Sequence, residues 1–503
     1  MFTFAVEIQT HTMANGLKSL VKDTALYGIS SIVGRFLNYL LVPLYTIKIT
    51  AESGGYGVVT NVYAYTALLL TLLTFGMETT LFRFSTKEGE DPHKVYGTVL
   101  WLVTSVAVAF AVLSLVFNAP ISALMGYADH PEYIACMTTI VAIDAVQSIM
   151  FAHLRQQGRA VKFVTLKMAF IVMSILLNLF IFLVAPVLHA SHPEWMGWYD
   201  PRYSVGYIFI VNLICTASVT LGFLPELKGL TYGFDRQLAR RMVRYAMPIL
   251  VLGIAGILNQ VADKITYLFI LPGTEGEVQL GIYGACVKIA MIMAILLQAF
   301  RYAYEPFVFN KSRDKDQDAT CAVTMKYFVI FTLLAFLVVV FYMDLFKYLV
   351  GRTYWEGLRV VPIVMMAEIF MGIYFNLSFW YKLEDKTYWG AIMSVIACVV
   401  LLAVNILFVP RYGYIACAWG GVAGYGTAML LSYFIGQHYH PIRYDVKGIL
   451  TYFALALTLF AASQLLPIED QWLRMGANTL LLTLFVAYII KHDLPLGQLL
   501  RRK

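Results

Sequence analysis

The sequence predicts an all-α polytopic membrane protein of about 14 transmembrane helices, and three observations carry that prediction. The 503 residues are 60% apolar and only 13% charged, with a mean hydropathy of +0.71. A soluble domain carries about 25% charged and about 45–50% apolar residues, so a soluble enzyme and a disordered chain are excluded. The net charge of +7 does not rescue a nucleic-acid-binding domain, and no nucleic-acid partner is expected. The apolar residues fall into fourteen runs that each approach or exceed the roughly 20 residues needed to cross a bilayer. Finally, the basic residues between those runs alternate in density, as retention of Lys and Arg on the cytoplasmic side requires.

In chain order the runs cover 24–47, 56–80, 95–117, 132–153, 163–185, 204–225, 243–271, 280–304, 324–343, 358–380, 388–409, 413–435, 447–466 and 472–490. With a cytoplasmic N-terminus, 27 of the 37 Lys and Arg residues fall on the cytoplasmic side and seven in outer loops, while Arg35, Lys264 and Lys288 stay inside spans. One helix more or fewer would invert this bias partway along the chain. Both termini are therefore expected in the cytoplasm. The opening stretch MFTFAVEIQTHT has neither a basic n-region nor a cleavage site, so it is not a signal peptide; residues 1–15 are expected to be a disordered or non-native extension, with Met13 an alternative start.

A repeat organises the runs. Gly54-Gly55-Tyr56-Gly57 opens the second helix and Gly281-Ile282-Tyr283-Gly284 the eighth. The expected arrangement is two six-helix lobes related as parallel repeats, 16–225 and 243–440, joined by a cytoplasmic linker over 226–242. Residues 441–503 add two C-terminal helices and a basic tail. Leu238, Met242 and Val243 give the linker's Asp235–Arg244 stretch an apolar side, as in a helix lying at the interface.

Chemistry is sought among the few charges inside spans, because an ionisable group there is costly and by default marks a functional site. These are Arg35, Asp144, Asp263, Lys264, Lys288 and Glu368, with Glu78 and Arg301 near cytoplasmic helix ends. Arg35 has Asn38 nearby. The seventh helix carries Pro248, Gly253 and Gly256, then Asn259, Gln260, Asp263 and Lys264. Interrupted, polar helices at matching places in two repeats point to a transport site. Arg35, Lys288 and Arg301, the last two about 20 Å apart along one helix, would form a ladder of positive charge suited to phosphate or pyrophosphate. Asp144, Asp263, Glu368 and Glu78 are candidates to carry a coupling ion, and static ion pairing is the competing reading of each. His189 and His192 sit in an aromatic loop and lack a third ligand, so no metal is expected. The six cysteines, Cys136, Cys215, Cys286, Cys321, Cys398 and Cys417, form no CxxC pair and suit packing. There is no P-loop, G-x-S-x-G, HExxH or DxD motif, and no loop large enough for a catalytic domain. An enzyme such as a membrane glycan polymerase or ligase is disfavoured, and no cofactor is expected.

Several stretches resemble the polysaccharide-biosynthesis flippases, the Wzx-type O-antigen and capsule transporters of the multidrug/oligosaccharidyl-lipid/polysaccharide (MOP) superfamily. They are Lys22-Asp23-Thr24 through Gly34-Arg35-Phe36-Leu37-Asn38 to Pro43-Leu44-Tyr45; Gly76 to Arg83; Arg244-Tyr245-Ala246-Met247-Pro248; Asp263-Lys264 followed by Gly281-Ile282-Tyr283-Gly284 and Lys288; and Pro410-Arg411-Tyr412-Gly413 to Gly424. Their order and spacing, over roughly 18–490, carry the likeness. The resemblance implies two six-helix lobes around a central cavity plus two extra helices. It also implies translocation of undecaprenyl-diphosphate-linked oligosaccharide from the cytoplasmic to the periplasmic leaflet of a bacterial inner membrane. Arg35, Lys264 and Lys288 match positions of a cationic cavity; Arg301 is added from its charge and place. A coupling ion, H+ or Na+, and a glycan polymerase or other polysaccharide-assembly protein are the partners it suggests. Multidrug exporters and peptidoglycan-precursor flippases share the fold and are the alternatives; three mid-span cations argue against an exporter of organic cations.

Overall fold

A computed structural model describes residues 37, 39–227, 234–310, 317–383 and 386–493. Among them there is no strand, and 13 helices are long and apolar enough to cross a membrane. These correspond to the second through fourteenth runs. The first run lies mostly outside the described residues, which include only its end, α1 (Leu41–Lys48). The helices expose Val108, Val112, Leu176, Val399, Leu407 and Leu480 at 55–69%. A water-soluble chain does not tolerate so much apolar surface, and hydrocarbon is the solvent that suits it. The protein is a multi-pass membrane protein.

The chain divides into two compact units, residues 1–44 with 61–261 and residues 45–60 with 262–503. The first takes in α2 (Gly55–Thr74) from residue 61 onward; this helix ends at Phe75 (φ 32°) and Gly76 (φ 73°), and α3 (Met77–Ser85) restarts the span. A Cβ on Gly76 would stand 2.9 Å from the Ile249 side chain, so this turn needs glycine for space as well as for its left-handed backbone. Next come α4 (Pro92–Val116) and α5 (Asn118–Leu124). Asp91 caps α4 by accepting the His93 amide at 2.9 Å, with Pro92 at the first position. Then follow α6 (Pro131–Gln156), α7 (Ala160–Leu179), a π turn over Phe180–Val184, α8 (Ala185–Ser191), α9 (Ser204–Leu221) and α10 (Leu224–Leu227).

One expectation is corrected here. The Asp235–Arg244 stretch is not a separate interfacial helix, because Arg236–Ile270 form one continuous helix, α11. Leu238, Ala239 and Met242 are 2%, 5% and 0% exposed, so the apolar side meets protein and not headgroups. Arg241 is tied to Glu90 at 2.7 Å.

The second unit holds α12 (Thr274–Asn310), α13 (Gln317–Phe341), α14 (Met343–Phe346), α15 (Val361–Leu377), α16 (Phe379–Leu383), α17 (Tyr388–Tyr412), α18 (Tyr414–Tyr439), α19 (Val446–Leu465) and α20 (Gln471–His492). The two G-x-Y-G motifs meet within it. A Cβ on Gly57 would lie 1.9 Å from the Glu277 carbonyl oxygen, one on Gly281 would lie 2.9 Å from the Gly57 nitrogen, and one on Gly284 would lie 2.3 Å from Thr60 Oγ1. Only glycine permits two helices to approach backbone to backbone in this way. The 45–60 segment is also held by Tyr354 Oη donating to the Ile49 carbonyl (2.7 Å) and the Gly351 amide donating to Thr46 Oγ1 (2.8 Å). Helices α19 and α20 pack on α13 and are clamped at both ends. Lys326 bridges Asp445 (2.9 Å) and Asp493 at one end; Asp344 meets Lys347 (2.9 Å) and Arg474 at the other.

Candidate functional site

Mid-span charge in the second unit gathers at one place. Asp263, 6% exposed, receives Lys264 Nζ at 2.9 and 3.0 Å on its two oxygens, and the Lys264 amide at 2.9 Å. Tyr283 Oη donates to Asp263 Oδ2 at 2.7 Å, and Lys264 Nζ lies 5.6 Å from the Tyr283 ring centre. Lys264 is also within Coulomb reach of Lys288 on α12 and Glu368 on α15; Tyr425 and Cys417 of α18 stand near the same carboxylates. Lys264 is thus the common neighbour of a second ammonium, Lys288, and of two carboxylates, Asp263 in direct contact and Glu368 at longer range. The helix-crossing glycines set it up, since Gly281 and Gly284 fix α12 where Tyr283 reaches Asp263.

A second polar group lies in the first unit. Asp144 on α6 faces Lys167 on α7 and Thr216 on α9. Asn212 Nδ2 donates to Tyr63 Oη at 2.8 Å beside it, and Gln147 Nε2 donates to the Thr216 carbonyl and Thr220 Oγ1, both at 2.8 Å. Glu78 forms an ion pair with Arg155 at 2.8 Å, and both lie within Coulomb reach of Lys167.

The remaining sequence-predicted residues are dispersed. Asn259 is buried, with its side-chain amide donating to the Ala255 carbonyl at 2.8 Å, while Gln260 is exposed. Arg301 is exposed and stacks 4.2 Å over the Phe375 ring, which Lys382 approaches to 4.4 Å. Arg35 and Asn38 lie outside the described residues, so the ladder from Arg35 is not visible. Tyr283, Tyr425 and Lys167 were not singled out for the sites they join. Lys167 is one of the 27 basic residues assigned to the cytoplasmic side, yet it is the eighth residue of α7; its place inside the 163–185 apolar run is the signal that marks it. All six cysteines are free and all but Cys136 are buried.

Comparison with known proteins follows the same lines. The family model described as polysaccharide biosynthesis protein matches residues 20–306, more than half of the chain. No curated protein sequence matches. Among solved structures, the lipid II flippase MurJ in an inward closed conformation superposes with a TM-score of 0.67 at 15% identity, covering 93% of this chain and 99% of MurJ. An inward-facing multidrug-resistance MATE transporter of the MOP superfamily gives 0.61 at 13%, covering 80% and 94%. The MATE multidrug transporter DinF-BH, solved as a complex, gives 0.55 at 16%, covering 84% and 96%. At such identities the likeness speaks to fold, and the fold is that of MurJ and the MATE transporters. By its sequence this chain belongs to the polysaccharide biosynthesis protein family, carried on the MOP-superfamily fold.

Proposed function

We propose that the protein is a flippase that moves undecaprenyl-diphosphate-linked oligosaccharide from the cytoplasmic to the periplasmic leaflet of a bacterial inner membrane by alternating access, with both termini in the cytoplasm. The observation that carries this reading is the mid-span cluster of Lys264, Lys288, Asp263 and Glu368 in a member of this family. A pyrophosphate is prohibitively costly to bring into hydrocarbon without cations, and two ammonium groups within reach of each other supply them. In the resting cluster the carboxylates balance those cations. When the pyrophosphate takes Lys264 and Lys288, Asp263 and Glu368 lose their partners and take up H+ or Na+. Anion loading and cation loading are thereby linked. Asp144 beside Lys167 offers the first unit an equivalent exchange, and Glu78 is assigned to its ion pair with Arg155. Arg35, Asn38, Asn259, Gln260 and Arg301 are the further residues assigned to substrate, in a chain of six-helix lobes 16–225 and 243–440.

The test is complementation of a strain lacking the gene. Lys288→Ala and Arg35→Ala proteins should reach wild-type levels in the membrane and leave the lipid-linked oligosaccharide in the cytoplasmic leaflet. Full surface glycan with either variant would sink the site assignment. Broad drug resistance in a pump-deficient host, with surface glycan unchanged on deletion, would replace a flippase with an exporter. Altered glycan chain length with normal flipping would point to a polymerase.

A further inference from the structure

A groove of about 490 Å³ runs between α7 and α9, and neither Lys167 nor Thr216 on these helices is among its lining residues. One wall is a stripe of α7, Leu166, Ala169, Met173 and Leu177; the other is Ser218 and Val219 of α9. Its origin is readable in the packing. At one end Leu166 presses on Gly222, where a Cβ would come within 2.5 Å of it, and packs with Val219 on the core cluster that holds the edge-on rings of Phe151, Phe163 and Phe223. At the other end the π turn at Phe180–Val184 shifts the register of the helix. Between them Ala169 and Ser218 are too small to fill the space. Val172 and Leu176, 49% and 60% exposed, form its open rim.

The size falls in the range of ligand sites, about 300–1,000 Å³, and the lining offers one hydroxyl. Ordered water needs 2–4 polar partners, so neither water nor a polar ligand is matched. The groove lies within two membrane-spanning segments, Ala160–Ser191 and Pro201–Leu221, so a hydrocarbon chain is its natural occupant. The charge at its closed end selects among lipids. Arg159 and Lys162, one to two turns from Leu166, both bind the single carboxylate of Glu226, Arg159 at 2.6 Å. Burial pushes the Glu226 carboxyl up, yet the hydrogen bonds from Lys162 and Arg159 hold it below the usual range, so positive potential dominates here. The first turn of α7, which no side chain caps, adds its partial positive charge.

We propose that this groove is a binding site for an anionic phospholipid, with one acyl chain lying along α7 and the phosphate resting on the Arg159–Lys162 end. A benzophenone amino acid placed at Leu176 reports on it in vesicles of mixed phosphatidylglycerol and phosphatidylcholine with identical chains. Crosslinks to phosphatidylglycerol should exceed those to phosphatidylcholine several-fold, whereas the same group at lipid-facing Val112 should show no preference. In native mass spectrometry of the full chain, Ala169→Phe should cut retained phosphatidylglycerol several-fold, and Arg159→Gln with Lys162→Gln should erase the preference over phosphatidylcholine. Equal crosslinking of the two lipids at Leu176 overturns the proposal. So does a polyprenyl phosphate as the co-purifying lipid, or a crosslink from Leu176 to a second copy of the chain. Leu176 is exposed, so the crosslinking stands even where Ala169→Phe fails to fold.

Discussion

Replacing Gly57 with alanine is the sharpest test of how this fold is assembled. The new Cβ would start 1.9 Å from the Glu277 carbonyl oxygen and 2.7 Å from its carbon. Ordinary contact begins near 3.4 Å, and the obstacle is backbone, which cannot swing away as a side-chain end can. Helices α2 and α12 must therefore separate at their crossing. Overpacking costs about 1–3 kcal/mol, and an immovable neighbour places Gly57→Ala at the upper end, ~3 kcal/mol. At about 2 °C per kcal/mol for a unit of a few hundred residues, the melting midpoint should fall by ~6 °C. The assay is thermal melting of the detergent-purified protein followed by size-exclusion fluorescence. Gly256→Ala is the control: nothing lies within 4 Å of its Cβ, and helix propensity favours the change by up to ~1 kcal/mol. Gly281→Ala meets the same crossing more mildly, and the double variant should lose less than the two losses added, because they relieve one contact. A Gly57→Ala protein melting within about 1 °C of wild type, or a Gly256→Ala protein falling as far, would refute the reasoning.

Other expectations concern the charged groups. Lys264→Ala leaves a buried carboxylate unpaired and should cost about 3–5 kcal/mol, whereas Asp263→Asn combined with Lys264→Gln should recover most of it by melting while still failing in export. Tyr283→Phe removes one hydrogen bond to Asp263 and should cost about 1–3 kcal/mol, read as a lower midpoint and reduced export at normal membrane levels. At Asp344, burial raises the carboxyl, but hydrogen bonds from Lys347 and Arg474 hold it below the usual range. A carboxyl depressed by folding adds stability above its unfolded value, near 4, which is lost as pH falls through the lower folded value. Asp344→Asn should therefore melt below wild type at pH 6–7, and the gap should close as pH drops below about 4; a gap unchanged by acid would contradict the clamp.

The membrane architecture was legible in the sequence because each span must satisfy its backbone within itself and face hydrocarbon outside, which leaves a long apolar run at every crossing. Runs two through fourteen coincide with the spanning helices to within several residues, the largest shifts being at ends such as Arg236 and Ser191. The mid-span charges were legible for the same reason, as exceptions to that rule. Legibility stopped where a residue's role depends on a neighbour distant in sequence. Lys167 reads as one of the 27 cytoplasmic-side cations until α6 and α9 place Asp144 and Thr216 beside it. Charge and helix position single out Arg301, but only the fold shows that it stacks on Phe375.

The two G-x-Y-G motifs show the division most clearly. By itself the sequence determined the class, the order of the thirteen spans among the described residues, and the recurrence of a glycine motif at the head of the second and eighth runs. Those are local consequences of composition and period. Only the tertiary structure decided that the two copies touch, that Gly281 and Gly284 hold α12 where Tyr283 meets Asp263, and that Arg236–Arg244 open a long helix whose Leu238, Ala239 and Met242 are covered by protein. Periodicity states which side of a helix avoids water; it does not state whether lipid, protein or another glycine covers that side. That choice is made by close packing between segments more than two hundred residues apart.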